Sequence, residues 1–187
     1  MSKVERLVIA ILWINVFMDL LGNYMNNTAN KNIVVYNAIT PIEIVLTLGI
    51  YQMVSHGSRL KKALKWLMIM FLTLVLYDYL TADGWHDFHE MSYTVGCLGL
   101  VVVSYFFLRF TILGKGEVKT LVFWFAVANI FFYALAVSIF AAEPIVQQLE
   151  RDTGQLIMNL KNTAYSIWTL LIIFGILWKL KKNIFSF

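Results

Sequence analysis

Four ionisable side chains interrupt the outer halves of long apolar stretches in this sequence, namely Asp19, Glu43, Asp78 and Lys161. Asp19 and Asp78 lie near the ends of their stretches, so Glu43 and Lys161 are the first candidates for chemistry. Glu43 lies within the apolar stretch 34–55, and Lys161 lies within the apolar stretch 156–180. A charge inside a hydrophobic membrane segment is costly, so such residues mark a ligand or ion site by default. We therefore expect Glu43 and Lys161 to contribute to a ligand-binding site, as a charge pair if their two helices meet.

Polar residues at helical spacing extend this candidate site. Residues three or four apart share one face of a helix, and the last apolar stretch carries such a face in Asn159, Asn162, Ser166 and Thr169. Polar groups in hydrocarbon need hydrogen-bond partners, so these faces should turn towards the interior of the bundle. The pattern predicts a polar cavity that opens outwards between helices 1, 2, 5 and 6. Its predicted ligand-binding residues are Asp19, Tyr36, Asn37, Glu43, Asp78, Asn129, Tyr133, Lys161, Asn162 and Tyr165.

The segment from Asp83 to Glu90 is the one metal-like cluster in the sequence. His86, His89 and Glu90 are spaced so that one helical turn would bring them together, and imidazole with carboxylate suits zinc or iron. The spacing matches no recognised motif, however. An acidic helix start, which the helix dipole stabilises, is the favoured interpretation, so we predict no metal and no cofactor here.

Enzymatic motifs receive little support elsewhere in the sequence. It contains no nucleophile elbow and no phosphate-binding glycine loop, and the single Cys97 forms no recognisable cysteine–histidine pair. We therefore assign no catalytic residues. A retinal-type covalent attachment would rest on Lys161 alone, and six membrane spans rather than seven count against it.

The composition points to a membrane protein. Hydrophobic residues make up 60% of the 187 residues and charged residues only 14%, whereas soluble domains have about 45–50% and 25% respectively. Soluble, disordered, collagen-like and disulfide-rich classes therefore fit poorly. The composition predicts an integral membrane protein.

The apolar stretches predict an all-α bundle with six transmembrane helices in a single domain, residues 1–187. Each stretch approaches the 20 or so residues that cross a bilayer core, and the apolar runs are too continuous for the alternating strands of a barrel. The connections are short, which favours one bundle. The predicted spans are 4–23, 34–55, 63–81, 91–113, 119–141 and 156–180.

The distribution of lysine and arginine predicts the orientation of these spans. Cytoplasmic loops of membrane proteins are enriched in both residues. With both termini in the cytoplasm, the outer side receives only Lys31 and Arg151, and Lys161 lies within a span. The cytoplasmic side then receives Lys3, Arg6, Arg59, Lys61, Lys62, Lys65, Arg109, Lys115, Lys119, Lys179, Lys181 and Lys182.

Several short motifs resemble those of a group of small, largely uncharacterised bacterial integral-membrane proteins. The motifs are Asn32, Tyr36, Asn37, Pro41, Glu43 and Tyr51 on helix 2, Phe123, Trp124 and Tyr133 on helix 5, and Asn162 and Tyr165 on helix 6. The resemblance implies a multi-pass protein of the inner membrane. Members of the group carry one more N-terminal helix, and some are encoded beside sensor kinases, which implies a signalling partner.

Three functions remain open at this stage. The first is a ligand-binding or sensory membrane protein, whose partners are the lipid bilayer, an unknown small molecule, and a cytoplasmic or membrane signalling protein. The second is a small proton-coupled transporter that uses Glu43, and the third is a metal-dependent membrane enzyme. No nucleic-acid partner is expected, because the basic residues flank apolar segments rather than forming one stripe.

Overall fold

The described part of the chain is helical. The computed structural model describes residues 2–29, 32–55, 57–81, 89–113, 120–141 and 151–184. Within these ranges it contains six helices and no strand, which agrees with the predicted all-α class. The helices are α1 (Lys3–Ala29), α2 (Asn32–Val54), α3 (Ser58–Thr81), α4 (Glu90–Ile112), α5 (Thr120–Ala141) and α6 (Arg151–Ile184).

The helices extend beyond the apolar stretches that predicted them. The first continues past residue 23 to Ala29, and the last begins at Arg151 rather than at 156. Apolar composition predicts where a chain can cross a membrane, whereas backbone hydrogen bonding continues into polar sequence. With 34 residues, α6 is about 50 Å long and exceeds the roughly 30 Å bilayer core.

Four of the six helices are long and apolar enough to cross a membrane. Their apolar spans are Ile33–Val54, Ser58–Thr81, Met91–Ile112 and Leu121–Ile139, which belong to α2, α3, α4 and α5. The chain therefore has the build of a membrane protein.

The backbone contacts divide the chain into two compact units. Unit 1 comprises Met1–Gly96 and unit 2 comprises Cys97–Phe187, so the boundary falls inside α4. In unit 1, α2 packs against both α1 and α3. In unit 2, α5 packs extensively against α6. The single six-helix domain stays a prediction.

The described lysines and arginines of unit 1 lie at one end of its helices. Short connections make α1, α2 and α3 successively antiparallel, so the start of α1 lies near the end of α2 and the start of α3. The end of unit 1 that carries these lysines and arginines is called the basic end. Its basic side chains are all exposed and are Lys3, Arg6, Arg59, Lys61, Lys62 and Lys65. At the same end, Ser2 and Glu5 form a capping box, with Ser2 N–H donating to Glu5 Oε2 (2.9 Å) and Glu5 N–H to Ser2 Oγ (3.3 Å).

Close packing in the middle of unit 1 depends on a glycine. A Cβ built on Gly96 of α4 would lie 2.6 Å from Phe71 Cε2 and 2.8 Å from Ile44 Cδ1. Real Cβ atoms essentially never approach so closely, so α2 and α3 contact α4 here because residue 96 has no side chain. This contact fixes the register of the three helices, and with it the polar groups nearer their ends.

Candidate functional site

A buried hydrogen bond joins α2 and α4 at the end of unit 1 opposite the basic end. Tyr93, near the start of α4, donates its hydroxyl to Asn37 Oδ1, near the start of α2, over 3.0 Å. Both side chains are almost completely buried. On burial, the amide of Asn37 and the phenol of Tyr93 each lose hydrogen bonds to water, and the bond between them replaces part of what is lost.

Asp78 contributes a carboxylate from α3 to the same end of unit 1. Its Oδ2 accepts a hydrogen bond from Ser92 N–H over 2.7 Å, and the side chain is buried. The first amides of a helix have no partner within that helix, and a negative charge there also favours the helix dipole. Asp78 therefore caps the start of α4 from a neighbouring helix.

His89 completes this group of residues. It directly precedes α4 and is fully buried, with its ring centroid 6.3 Å from that of Tyr93. Its carbonyl accepts hydrogen bonds from Tyr93 N–H (3.1 Å) and from Ser92 Oγ (3.3 Å). The polar cluster of unit 1 is defined here as Asn37, Asp78, His89, Ser92 and Tyr93.

Further along α2, Glu43 and Thr47 are also buried. Glu43 is 4% exposed and Thr47 is fully buried, and their spacing of four places them on one face of α2. The Thr47 hydroxyl has no hydrogen-bond partner among the described residues. The helix continues through Pro41, which has no N–H to donate to the Asn37 carbonyl one turn earlier.

The first helix places polar side chains against α2. Asn15 is buried and donates to the Ile11 carbonyl of its own helix over 3.0 Å. Asp19 and Tyr36 are half-buried and interact electrostatically across the α1–α2 contact. The Tyr36 hydroxyl also lies against Gly22 of α1. Asp19 and Tyr36 thus lie together at the α1–α2 contact.

The predicted residues of unit 2 form an aromatic group around Asn129. Asn129 is fully buried, and its Oδ1 accepts a hydrogen bond from Trp168 Nε1 over 2.9 Å. The Tyr165 ring stacks on the Trp168 ring with centroids 5.7 Å apart, and Tyr133 is buried. This pattern is typical of a packed interface between two helices, in which the buried amide of Asn129 accepts a hydrogen bond from the Trp168 indole.

The polar face at the start of α6 is exposed at its described residues. Asn159, Asn162 and Ser166 are exposed. The hydroxyl of Ser166 donates to the Asn162 carbonyl over 3.0 Å, and that of Thr163 to the Asn159 carbonyl over 2.9 Å. Because these hydroxyls bond within their own helix, they need no partner on another helix.

The ten predicted ligand-binding residues therefore divide between the two units. Unit 1 holds five of them, and unit 2 holds Asn129, Tyr133, Lys161, Asn162 and Tyr165. Lys161 lies in α6, but its side chain is outside the described residues, so its pairing with Glu43 stays a prediction. The same holds for the cavity between helices 1, 2, 5 and 6.

Sequence reasoning missed the α4 side of the polar cluster. Ser92 and Tyr93 were not predicted, although they supply the partners of Asp78 and Asn37. In unit 2, Trp168 was likewise not predicted, although its indole N–H supplies the hydrogen bond to Asn129. The available signal was the run of polar residues just after Glu90, at the start of an otherwise apolar stretch.

The structure describes only part of the segment from Asp83 to Glu90, in which a metal site was considered. His86 and the Glu90 side chain lie outside the described residues, whereas His89 is buried in the polar cluster. Within the described part of the chain, no three His, Cys, Asp or Glu side chains come close enough to hold a metal ion.

The polar cluster offers hydrogen-bond donors and acceptors of several kinds at one end of unit 1. A phenol, an amide, an imidazole and a carboxylate lie on or beside three helices. Such groups suit the recognition of a small polar molecule, for which a few placed polar groups in apolar surroundings are typical. In comparisons with known proteins, no family model, no curated protein and no solved structure matches this chain.

Proposed function

We propose that this protein is a multi-pass protein of the bacterial inner membrane with a ligand-binding or sensory site on its extracytoplasmic side. It crosses the membrane six times, with both termini in the cytoplasm. The site is the polar cluster of unit 1, supplemented by the neighbouring Asp19 and Tyr36. A signalling protein in the cytoplasm or membrane receives the response.

The orientation follows from the positions of the charges. The basic end of unit 1 carries six exposed lysine and arginine residues, and such residues are enriched on the cytoplasmic side. The polar cluster lies at the opposite ends of these helices. Asn37 is near the start of α2, and Asp78 is near the end of α3. This placement supports an extracytoplasmic site.

The observation that carries the proposal is the buried hydrogen bond between Tyr93 and Asn37. Bonds between helices in membranes contribute only about 0.6 kcal/mol on average. This bond and the one from Ser92 N–H to Asp78 together stabilise the helices only modestly, which gives little reason to bury a phenol, an amide, a carboxylate and an imidazole together. A function that uses these groups accounts for their concentration better than stability does.

The test is to identify small molecules that co-purify with the protein and to ask whether the polar cluster retains them. Full-length protein is purified in mild detergent and its bound small molecules are identified by mass spectrometry. We expect a polar molecule that wild-type protein retains and that Tyr93→Phe and Asn37→Leu lose. Tyr105→Phe is the matched control, because Tyr105 is an exposed tyrosine on the same helix.

Two outcomes would contradict the proposal. One is a retained molecule that survives both cluster substitutions. The other is the absence of any retained molecule, together with no ligand-induced thermal stabilisation in a screen of polar metabolites. Thermal unfolding of each variant shows that lost binding is not lost folding.

Proton-coupled transport is the second candidate, and the burial of Glu43 in an apolar span supports it. A carboxyl group there could take up and release a proton as substrate crosses. In proteoliposomes, transport would require a proton gradient and would be abolished by Glu43→Gln. A sensory protein would show no such flux.

A further inference from the structure

Positive charge is concentrated in the first eight residues of α3. These residues include Arg59, Lys61, Lys62 and Lys65, and all four side chains are exposed. The start of a helix carries a partial positive charge and favours acidic residues, yet the first turn of α3 contains none. The helix itself therefore disfavours this concentration of positive charge, and an anion bound beside it would offset the repulsion.

The described residues of unit 1 supply little negative charge at the same end. Their acidic residues are Glu5, Asp19, Glu43 and Asp78, of which only Glu5 lies at the basic end. The Glu5 carboxylate already accepts a hydrogen bond from Ser2 N–H in the capping box of α1. The charge balance within the described part of unit 1 therefore favours an anionic partner from outside it.

Hydrogen bonds hold the start of α3 against the end of α2. The Gln52 side chain of α2 donates from Nε2 to the Lys61 carbonyl over 3.3 Å, and Lys61 N–H donates to the Gly57 carbonyl over 3.1 Å. The basic side chains therefore extend from a backbone that is already ordered. An anion that binds them does not have to order a loop, which lowers the entropic cost of binding.

Trp66 indicates where this surface meets the bilayer. Arg59, Lys62 and Trp66 are spaced by three and four residues, so they lie on one face of α3. Trp66 is 60% exposed, and tryptophan is enriched where hydrocarbon meets lipid headgroups. Lys62 and Arg59 lie about 6 and 10 Å beyond Trp66 along the helix axis, away from the exposed apolar Ile69 and Leu72. This is the level at which the phosphates of lipid headgroups lie.

We propose that the start of α3 binds the headgroup of an anionic phospholipid through Arg59 and Lys62, with Trp66 packed beside the lipid. Basic clusters next to a membrane span attract anionic headgroups, and guanidinium groups match the geometry of phosphate. A lipid is favoured over a soluble partner because the apolar span of α3 is only 17% buried, against 44% for α2. The site rests on the membrane placement proposed above, but not on the orientation or on the ligand of the polar cluster.

The test counts lipids bound to purified full-length protein in mild detergent by native mass spectrometry. Phosphatidylglycerol is compared with phosphatidylcholine of the same acyl chains. Phosphatidylglycerol should bind in a saturable manner and raise the Tm, as expected for a ligand of the folded state, whereas phosphatidylcholine should do neither. Inorganic phosphate and the acidic peptide hexaglutamate, each at the same ionic strength, should not displace the bound phosphatidylglycerol.

Paired substitutions locate the site on α3. Arg59→Gln with Lys62→Gln should raise the half-saturating phosphatidylglycerol concentration roughly 25-fold, at about fivefold for each basic residue. Arg59→Lys with Lys62→Arg retains both charges and should bind nearly as well as wild-type protein. The matched control is Lys3→Gln with Arg6→Gln, which removes two exposed charges from α1 at the same end and should affect binding much less.

Four results would overturn the proposal. The first is equal binding of the two lipids, and the second is full phosphatidylglycerol binding by the Arg59→Gln, Lys62→Gln variant. The third is an equal loss in the α1 control, which would indicate diffuse attraction to the whole basic end. The fourth is displacement by phosphate or hexaglutamate, which would indicate a soluble anion or an acidic protein segment. Tyr93→Phe should leave lipid binding unchanged, so this site and the polar cluster can fail independently.

Discussion

Individual side chains in unit 1 are connected across helices by hydrogen bonds that the sequence pattern only half reveals. Asn37 and Asp78 were predicted as site residues because they are polar residues in apolar stretches. Their partners, Tyr93 and the Ser92 amide, depend on which turn of α4 faces α2 and α3. Sequence periodicity gives the face of one helix, but not its register against another, so the partners could not be predicted.

Two substitutions of Asp78 test whether its hydrogen bond to the start of α4 stabilises the protein. Asp78→Ala removes the acceptor of Ser92 N–H and should lower the free energy of unfolding by about 1 kcal/mol, as does loss of a helix cap. Asp78→Asn keeps a side-chain oxygen and should lose less. Chemical unfolding of both variants in detergent measures the difference. Equal stability of Asp78→Ala and wild-type protein would show that the cap contributes nothing.

At the scale of the helices, the apolar stretches agree with the approximate positions of the helices in the described ranges, and four of these helices are long and apolar enough to cross a membrane. Apolar composition failed at the ends of α1 and α6, where polar sequence continues the helix. It also could not show that Asn162 is exposed, because a polar helical face turns inwards only if its groups lack partners within the helix. The hydroxyl of Ser166 has such a partner in the Asn162 carbonyl.

Replacing Gly96 of α4 with alanine tests the close packing of the helices, and replacing Gly49 of α2 is the control. Gly96→Ala places a Cβ 2.6 Å from Phe71 Cε2, and such overpacking typically costs about 1–3 kcal/mol. A Cβ at Gly49 of α2 would meet nothing within 4 Å. Gly49→Ala should therefore be neutral or stabilise the helix by up to roughly 1 kcal/mol.

The Tm of the two alanine variants in the same detergent compares these effects directly. Gly96→Ala should unfold at a lower temperature than wild-type protein, and Gly49→Ala should not. If both variants melt with the wild type, α4 does not approach α2 and α3 as closely as the contact at Gly96 requires.

At the scale of the whole molecule, composition and charge asymmetry predicted a membrane protein with a cytoplasmic basic side. The four apolar helices agree with the first part. The basic end of unit 1 and the polar cluster lie at opposite ends of the same helices, and the predicted orientation stays a prediction. The chemistry of the proposed ligand could not be predicted, because polar residues at helical spacing do not specify which molecule they would bind.

The measurement that tests the central claim most directly is the sidedness of the two ends of unit 1 in intact cells. Gly57→Cys, next to the exposed basic residues, and Gly84→Cys, in the segment between α3 and α4, are introduced separately in a Cys97→Ala background. Cys97 is buried, so its removal should not disturb the surface. A membrane-impermeant maleimide should label position 84 in intact cells and position 57 only after permeabilisation. Labelling of position 57 in intact cells, with position 84 protected, would place the polar cluster on the cytoplasmic side and contradict the proposed extracytoplasmic site.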